Sequence, residues 1–340
     1  MEFSPIMDTY WRFAHERQQV YFKRLQDPNG PWTDDPIIDR YRFTNAYRAA
    51  DRVSQYLIRH VQYDQARSQS VEEVFFRTLV FKIFNKIETW ESLERVAGAL
   101  SWAHTSLSDV SCALDRMMAA GHAVYSAAYI MPAPKLGFVR KHANHLALIK
   151  MMMDDKLPAK IADAPTLRHV FDLLVPYNGL GRFLAFQYTI DLNYSSMLNF
   201  DESDFVVAGP GALDGIAKCF VDTGRLSAEE IIYKVTDIQA AAFAQLKLDF
   251  KGLGKRLLKP IDCQNLFCEI SKYARVAHPT VPGVSGRTRI KQQYRPSSRE
   301  TEKPFFPPRW QVELELAAPT NSINQQLSLS WPADVSVAGR

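Results

Sequence analysis

The sequence predicts an all-α fold, and three observations lead to that prediction. Apolar residues recur at helical spacing through most of the chain, and capping patterns such as Ser227 with Glu230 precede several of these stretches. Strand-like alternation is concentrated in two short stretches, 310–316 and 326–331, which are either short strands or irregular chain. Hydrophobic residues make up 46% of the 340 residues, enough for a sizeable core.

Turn and capping residues delimit the helices along the chain. A first helix over 7–26 ends at the turn-forming residues 27–31. A second begins near Pro36 and continues toward Arg59, and residues 71–86, apolar on most faces, predict a central core helix. The remaining helices are predicted at 107–120, in two segments of 165–194, at 228–249 and at about 262–275.

The chain divides by composition into three regions. Helical patterns fill residues 1–164 and 165–280, which predicts two helical lobes. Residues 281–308 are rich in Pro, Ser, Gly and Arg, which is typical of a mobile segment. We therefore predict a mobile, basic C-terminal tail over 281–340.

Composition excludes several kinds of protein. The four cysteines form no CxxC pair and have no metal-ligand spacing with histidine, so no metal site and no iron–sulfur cluster is expected. No segment approaches the ~18–20 apolar residues of a membrane span, and the charged N-terminus is not typical of a signal peptide. Sparse cysteines are typical of the cytosol, so we expect a cytoplasmic protein. We also expect no cofactor. A net charge of +4 permits nucleic-acid binding without requiring it.

A Gly-Pro-Gly turn at 209–211 is a candidate phosphate-binding element. Residues 203–216 are predicted as helix, tight turn and helix. Outward-facing amides at Gly209 and Gly211, at the start of the second helix, would bind one DNA phosphate. An ordinary helix–helix turn is the alternative, since glycine and proline are common turn residues.

Asp262 lies at the predicted start of a later helix, and the turn and the aspartate together resemble the helix-hairpin-helix DNA glycosylases. The resemblance implies a two-lobed, glycosylase-like fold in which Asp262 supports cleavage of the C1′–N bond. The gap between Gly211 and Asp262 is much longer than in the common glycosylases. Leu213 stands where bifunctional members carry a lysine, so the resemblance implies a monofunctional enzyme. A helix N-cap is the alternative role for Asp262.

Longer motifs resemble a related family. Residues 31–38 (PWTDDPII) and 41–48 (YRFTNAYR), with Asp51 and Arg52, are similar to the α-glutamyl/putrescinyl thymine pyrophosphorylases and to the helical domain that accompanies hydroxymethyluracil DNA kinases. Further similar stretches are 84–90, 179–185 and 262–269. The resemblance implies the glycosylase-like fold and a part in phage DNA hypermodification or in the bacterial response to it.

The N-terminal motifs also predict a polar pocket for an extruded base. Trp32 and Tyr41 are expected to stack on the base, and Asn45 to read its edge. The full set of predicted pocket residues is Trp32, Asp34, Asp35, Tyr41, Arg42, Asn45, Arg48, Gln264, Asn265 and Glu269. A structural salt-bridge network is the alternative for any one of the charged residues.

Basic residues predict contacts with the DNA backbone. Lys255 and Arg256 precede Asp262, and Arg287 and Arg289 lie in the predicted mobile segment. A solvated surface run, or a soluble linker, is the alternative. The sequence contains no Walker pattern, so kinase activity is not expected.

Together these features predict a monofunctional DNA glycosylase that excises a bulky, hypermodified pyrimidine and leaves an abasic site. We expect a monomer that binds double-stranded DNA and acts in defence against phage. Two alternatives keep the fold. One is a transferase of the pyrophosphorylase type, which builds hypermodified thymine by displacing pyrophosphate from an activated base with an amine. The other is a non-catalytic binder of modified DNA.

Overall fold

The computed structural model describes residues 1–128, 131–296 and 302–314. These residues are mostly helical, which confirms the all-α prediction. Their α-helices are α1 (Ile6–Gln26), α2 (Pro36–Arg40), α3 (Arg52–Tyr56), α4 (Val71–Phe84), α5 (Ile87–Ala97), α6 (Leu107–Ala119), α7 (Lys141–Asp154), α8 (Leu157–Ala162), α9 (Leu167–Leu174), α10 (Arg182–Tyr194), α11 (Pro210–Cys219), α12 (Ala228–Gln245) and α13 (Pro260–Ala277). Shorter elements are the paired strands β1 (Glu2–Phe3) and β2 (Phe220–Asp222), 3-10 turns at Arg48–Ala50 and Pro308–Trp310, and a π-helical turn at Leu57–Gln62.

Helix α4 forms the centre of the core, as its apolar sequence predicts. The Ser70 hydroxyl caps its first turn by accepting a hydrogen bond from the Glu73 backbone N–H (3.4 Å). Every residue from Glu73 to Phe84 is buried, because the helix packs against α7, α8 and α10.

Helix α1 packs against α11 and α13, which come from the second predicted lobe. Tyr10 packs on Phe267 of α13 with ring centroids 4.7 Å apart, and its hydroxyl donates to the Cys263 carbonyl oxygen (3.2 Å). One apolar core includes residues of both predicted lobes. Farther along α1, Arg17 reaches the loop that follows α2.

Helices α11 and α13 approach closely at Gly215, where a Cβ atom would overlap the backbone carbonyl oxygen of Phe267. Backbone atoms cannot move aside as a side chain can, so we expect Gly215→Ala to lower the free energy of unfolding by about 1–3 kcal/mol. Denaturant unfolding measures the loss. Gly181→Ala is the control, because no described atom lies within 4 Å of its Cβ position; Gly181 is the N-cap of α10, where alanine is less favourable, so we expect a loss of about 0.5–1 kcal/mol. Equal stability of the two variants would contradict the close packing.

The region around the Gly-Pro-Gly turn differs from its prediction. Residues 203–209, which the structure describes in full, contain no helix, so only the second of the two predicted helices forms. A Cβ atom at Gly209 would overlap the Phe183 ring, and one at Gly211 would lie 3.0 Å from the Cys268 sulfur. The two glycines therefore allow α11 to pack closely against its neighbours.

The stretch after α2 also differs from its prediction. The helix expected from Pro36 toward Arg59 ends with α2, and residues 41–47 form a loop. In this loop the Thr44 backbone N–H donates to the Glu269 carboxylate of α13 (3.0 Å). An amide that bonds to another helix is not available to continue its own helix.

Several described C-terminal residues are held against the helices, in and beyond the stretch that the sequence predicts as mobile. The Ser285 backbone N–H donates to the Asp214 carboxylate (2.7 Å). Farther on, the Phe305 backbone N–H donates to the Gln55 side chain (2.8 Å), and Phe306 is buried in the core.

The strands predicted near the C-terminus are not seen in the described part of the chain. The alternating stretch at 310–316 follows a 3-10 turn and contains no strand up to residue 314, where the description ends. The second stretch, 326–331, lies outside the described residues. No helix of the described ranges combines the length and the apolarity that a membrane span needs.

Candidate functional site

A polar cavity of about 430 Å³ opens between α1, the loop 41–47 and the C-terminal segment 290–296. Its size is in the range of small-molecule sites, roughly 300–1,000 Å³. The charged residues that line it are Arg17, Arg24, Arg42, Arg52, Arg295, Asp39, Asp51 and Glu88. We call this cavity the arginine pocket, because five of these eight residues are arginines.

Side chains of α13 hold the loop 41–47 from behind the cavity. Besides the bond from Thr44 to Glu269, the Asn265 Nδ2 donates to the Asn45 carbonyl oxygen (3.2 Å). Neither Asn265 nor Glu269 lines the cavity. Both predicted pocket residues therefore support its wall.

The two predicted aspartates at the start of α2 also lie outside the cavity. Asp35 caps α2 by accepting hydrogen bonds from the backbone N–H groups of Ile37 (2.8 Å) and Ile38 (3.0 Å). It also accepts one from the Tyr273 hydroxyl (2.7 Å), which ties α2 to α13. Asp34 is exposed. Asp35 is thus a structural residue of the wall.

Three arginines give the arginine pocket an excess of positive charge. Arg17 is only 5% exposed and donates to the Thr44 carbonyl oxygen (3.1 Å) and to Asn45 Oδ1 (2.8 Å). Burial lowers the pKa of Arg17 to about 10, so it stays charged at neutral pH. Within the described residues Arg17, Arg24 and Arg42 form no ion pair. Cations held in this way favour an anionic ligand.

Of the predicted pocket residues, Trp32, Tyr41, Arg42 and Asn45 line the cavity. Both ends of the Asn45 side-chain amide are hydrogen-bonded, because Oδ1 accepts from Arg17 and Nδ2 donates to a loop carbonyl oxygen (2.8 Å). Asn45 therefore positions Arg17 and the loop, and only one acceptor site on Oδ1 and one N–H of Nδ2 remain for a base edge.

Asp51 supplies a carboxylate to the cavity. Its Oδ1 accepts a hydrogen bond from the Asn45 backbone N–H (3.2 Å), and α3 begins at the next residue. Burial raises the pKa of Asp51, although the Asn45 N–H and the Arg42 charge offset part of the rise. A cavity carboxylate with a raised pKa is a candidate for proton transfer.

Two aromatic rings and one guanidinium group form a side of the cavity. The Arg24 guanidinium carbon lies 4.9 Å from the Trp32 ring centroid and 5.6 Å from that of Tyr294. The two rings stand nearly perpendicular, 6.3 Å apart. The Trp32 indole N–H donates to the Asp27 carbonyl oxygen (2.6 Å). Rings of this kind suit contact with a flat base.

Asp262 does not line the arginine pocket. It is 3% exposed, and its two oxygens accept hydrogen bonds from the backbone N–H groups of Arg48 (2.9 Å) and Lys259 (3.0 Å). Burial raises the pKa of Asp262. The carboxylate caps the start of α13 from its third residue and holds the turn that precedes Asp51. This geometry matches the capping alternative better than the predicted catalytic role.

Arg48 and Gln264, both predicted for the pocket, are buried away from it. Arg48 forms an ion pair with Asp191 (2.7 Å) and donates to the Tyr194 hydroxyl (3.1 Å). The Gln264 side-chain amide donates to the Cys268 sulfur (3.2 Å). Arg48 therefore belongs to a structural salt-bridge network, which was the alternative to a role in the pocket.

The predicted DNA-binding residues Lys255 and Arg256 line a second cavity, of about 610 Å³. Arg256 forms an ion pair with Glu202, and its guanidinium carbon lies 3.8 Å from the Trp310 ring centroid. The charge of Arg256 is therefore already paired within the protein.

The other predicted DNA-binding residues lie on different surfaces. Gly209 is buried and Gly211 is half-buried, and the backbone N–H of the neighbouring Ala208 donates to the Glu229 carboxylate (3.0 Å). Arg287 and Arg289 are exposed on the C-terminal segment that leads to the arginine pocket. These two arginines remain candidates for contact with a DNA backbone.

The sequence reasoning missed the side of the pocket that α1 and the C-terminal segment supply. Arg17 and Arg24 are two helical turns apart and so lie on one face of α1, which is a signal that the sequence contains. Asp51 lies within the motif but was not singled out from its charged neighbours. Tyr294 lies in the basic stretch that the sequence predicts as a mobile DNA-contacting arm or linker, and its place beside α1 depends on tertiary packing.

Comparison with known proteins identifies the family. The family described as "5-hmdU DNA kinase, helical domain" matches residues 4–283. A 5-hmdU DNA kinase of Bacillus phage SP10 is 27% identical over 294 residues, which are 79% of this chain and 45% of that protein, so the chain spans less than half of its relative. No solved structure matches the chain. These findings confirm the resemblance to the kinase helical domain and give no support to the glycosylase resemblance. The chain belongs to the family of 5-hmdU DNA kinase helical domains.

Proposed function

We propose that the chain acts on a modified thymine base of DNA, and that the arginine pocket binds this base with an anionic substituent. One observation carries the proposal: Arg17, Arg24 and Arg42, without an ion pair in the described ranges, face one cavity beside two aromatic rings. Guanidinium groups bind phosphate oxygens, and aromatic rings pack on the faces of bases. The family supports a modified pyrimidine as the base.

The reaction that best suits this arrangement is the displacement of pyrophosphate from an activated thymine by an amine. The amine nitrogen forms a bond to the exocyclic methylene carbon of the base. The bond from that carbon to the pyrophosphate oxygen breaks, and its electron pair leaves with pyrophosphate. Arg17, Arg24 and Arg42 neutralise the leaving anion. Asp51 accepts the proton that the nitrogen loses, and the glycosidic bond stays intact.

Removal of one pocket charge is expected to weaken the binding of DNA that carries a pyrophosphorylated hydroxymethyluracil. Arg24→Gln replaces a charged donor by a neutral one, and a hydrogen bond to a charged group contributes roughly 1.5–3 kcal/mol, so the Kd should rise about 10- to 100-fold. Fluorescence anisotropy with a labelled oligonucleotide measures the Kd. Arg12→Gln is the matched control, because Arg12 is exposed on α1 and does not line the cavity. An equal rise in the Kd of Arg24→Gln and Arg12→Gln would show that the anion binds outside the arginine pocket.

Analysis of the products tests the reaction itself. The protein is incubated with this DNA and a panel of simple amines and amino acids, and the DNA is then digested to nucleosides for mass spectrometry. We expect a nucleoside in which the amine replaces pyrophosphate, together with free pyrophosphate and no free base. DNA that contains only thymine should remain unchanged. Absence of the amine-bearing nucleoside at high enzyme concentration overturns the proposed reaction.

Base excision is the second candidate function, and the position of Asp51 favours it. A fixed carboxylate in a base-binding cavity can stabilise a cationic sugar or orient water, and Asp51, unlike Asp262, lines the cavity. The same experiment separates the two functions, because excision releases free base, leaves an alkali-labile abasic site and needs no amine. A non-catalytic binder would retain the DNA and give neither product.

A further inference from the structure

Residues 293–296 of the segment 290–296 form one wall of the arginine pocket. The segment runs antiparallel to the residues that follow α2. The Tyr294 backbone N–H donates to the Arg40 carbonyl oxygen (3.0 Å), and the Arg42 backbone N–H donates to the Gln292 carbonyl oxygen (3.1 Å). These two main-chain hydrogen bonds hold the Tyr294 side chain at the cavity.

The Tyr294 hydroxyl is shielded from solvent and has no hydrogen-bond partner among the described residues. Its ring lies beside the guanidinium group of Arg24, and the hydroxyl is close enough to Arg17 to interact with its charge. A buried hydroxyl without a partner costs folding free energy, and a polar ligand in the cavity removes that cost. The hydroxyl is therefore able to donate a hydrogen bond to an anion that the two arginines draw within reach of it.

This wall follows the part of the chain that defines the family. The family match ends at residue 283, before the segment 290–296 begins. Arg17, Arg24 and Asp51 all lie within the match. Four of the five pocket arginines, Arg17, Arg24, Arg42 and Arg52, thus lie in the family region, and Tyr294 and Arg295 lie after it.

We propose that Tyr294 is a specificity-determining residue that contacts the ligand and selects an anionic substituent on the base. This inference rests on the proposed function of the pocket. The Tyr294 hydroxyl donates a hydrogen bond to a phosphate oxygen that Arg17 and Arg24 attract. A neutral hydroxymethyl group accepts a weaker hydrogen bond from the same donor. Tyr294 therefore favours a pyrophosphorylated base over its hydroxymethyl precursor.

Calorimetric titration of the full chain with inorganic pyrophosphate tests this role. Tyr294→Phe removes only the hydroxyl, and we expect about tenfold weaker binding at a single site, since hydrogen bonds to charged groups are the stronger ones. Tyr233→Phe is the matched control, because Tyr233 is a partly exposed tyrosine of α12 outside the cavity, and its affinity should equal that of the wild type. Equal affinities of the wild type and Tyr294→Phe overturn the proposal, and so does a wild type that does not bind pyrophosphate.

Binding and turnover separate this inference from the proposed reaction. Pyrophosphate binding that depends on Tyr294, without amine transfer to DNA, supports the inference and overturns the reaction. The other outcome is that the wild type and Tyr294→Phe both transfer the amine and both bind pyrophosphorylated DNA over hydroxymethylated DNA with the same preference. That outcome supports the reaction and overturns the inference. The melting temperature of Tyr294→Phe should equal or exceed that of the wild type, because the substitution removes a buried hydroxyl that has no hydrogen-bond partner within the described chain.

Discussion

Replacement of Asp51 by asparagine is expected to lower the rate of amine transfer about 10²- to 10⁴-fold, which is the usual contribution of a general base. Asparagine has nearly the same shape and still accepts the hydrogen bond from the Asn45 backbone N–H. It cannot take a proton from the amine. The affinity for modified DNA should not fall, because the substitution removes a negative charge from the cavity that binds the anion. Single-turnover rates and fluorescence anisotropy measure the two quantities separately.

The pH dependence of the rate gives an independent test of Asp51. A general base acts only when it is deprotonated, and burial raises the pKa of Asp51. The rate of the wild type is therefore expected to fall as the pH decreases through a pKa above the usual aspartate value of ~3.9. Asp39→Asn is the matched control, because Asp39 is an exposed carboxylate of the same cavity, and it should keep both rate and profile. Wild-type turnover by Asp51→Asn would exclude the proposed role.

The second large effect is expected at a buried ion-pair cluster behind the site. Asp191 of α10 pairs with Arg48 (2.7 Å) and with Lys82 of α4 (2.8 Å), and all three residues are buried. Asp191→Asn removes the carboxylate and leaves two cations in the core. We expect the free energy of unfolding to fall by about 3–5 kcal/mol, as measured by denaturant unfolding. Arg48 lies just before Asp51 in the chain, so the cluster also fixes the turn that carries the catalytic candidate.

Acidification tests the same cluster. Burial alone would raise the pKa of Asp191, but Arg48 and Lys82 outweigh burial and lower it. A folded-state pKa below the unfolded value of 3.8 means that the pairs stabilise the fold above that pH. This stabilisation is lost as the pH falls through the folded-state pKa. The wild type should therefore lose more stability than Asp191→Asn on acidification.

Asp172→Asn provides the control for Asp191. Asp172 is exposed and pairs with Arg168 on the surface of α9 (3.1 Å). Exposed pairs contribute about 0–1 kcal/mol, so the variant should unfold almost like the wild type. If Asp191→Asn and Asp172→Asn lower the free energy of unfolding equally, burial does not determine how much the Asp191 cluster stabilises the fold.

The helices whose signals are local could be predicted from the sequence. The Ser227 hydroxyl accepts a hydrogen bond from the Glu230 backbone N–H (3.2 Å), and the Glu230 carboxylate accepts one from the Ser227 N–H (2.7 Å). This reciprocal pair starts α12 where the capping pattern places it. The apolar run at 71–86 similarly predicts α4 as the core helix. In both cases neighbouring residues carry the information.

Structure that depends on distant partners could not be predicted in the same way. The loop 41–47 forms because Glu269 and Asn265, more than 200 residues away, bind its backbone. The glycines at 209 and 211 have the composition of a phosphate-binding turn. In the structure they lie against Phe183 and Cys268, where a Cβ atom would be too close, so they allow α11 to pack. A residue type alone does not distinguish a packing glycine from a binding one.

The candidate site was predicted in part, for a similar reason. The motif at 31–52 supplies Trp32, Tyr41 and Arg42, which line the cavity. Other polar residues of the same motif turn away from the cavity and hold its wall. Asp262 caps a helix, and Arg17, Arg24 and Tyr294 complete the pocket from the two ends of the described chain. Their convergence depends on how α1 and the C-terminal segment pack.

A crystal structure of the full chain with an oligonucleotide that carries pyrophosphorylated hydroxymethyluracil tests the central claim most directly. We predict that the extruded base lies in the arginine pocket beside Trp32, with its pyrophosphate against Arg17 and Arg24. Asp51 should face the exocyclic methylene carbon. A base bound beside the 209–211 turn, or in the second cavity next to Arg256, would contradict the assignment of the arginine pocket as the functional site.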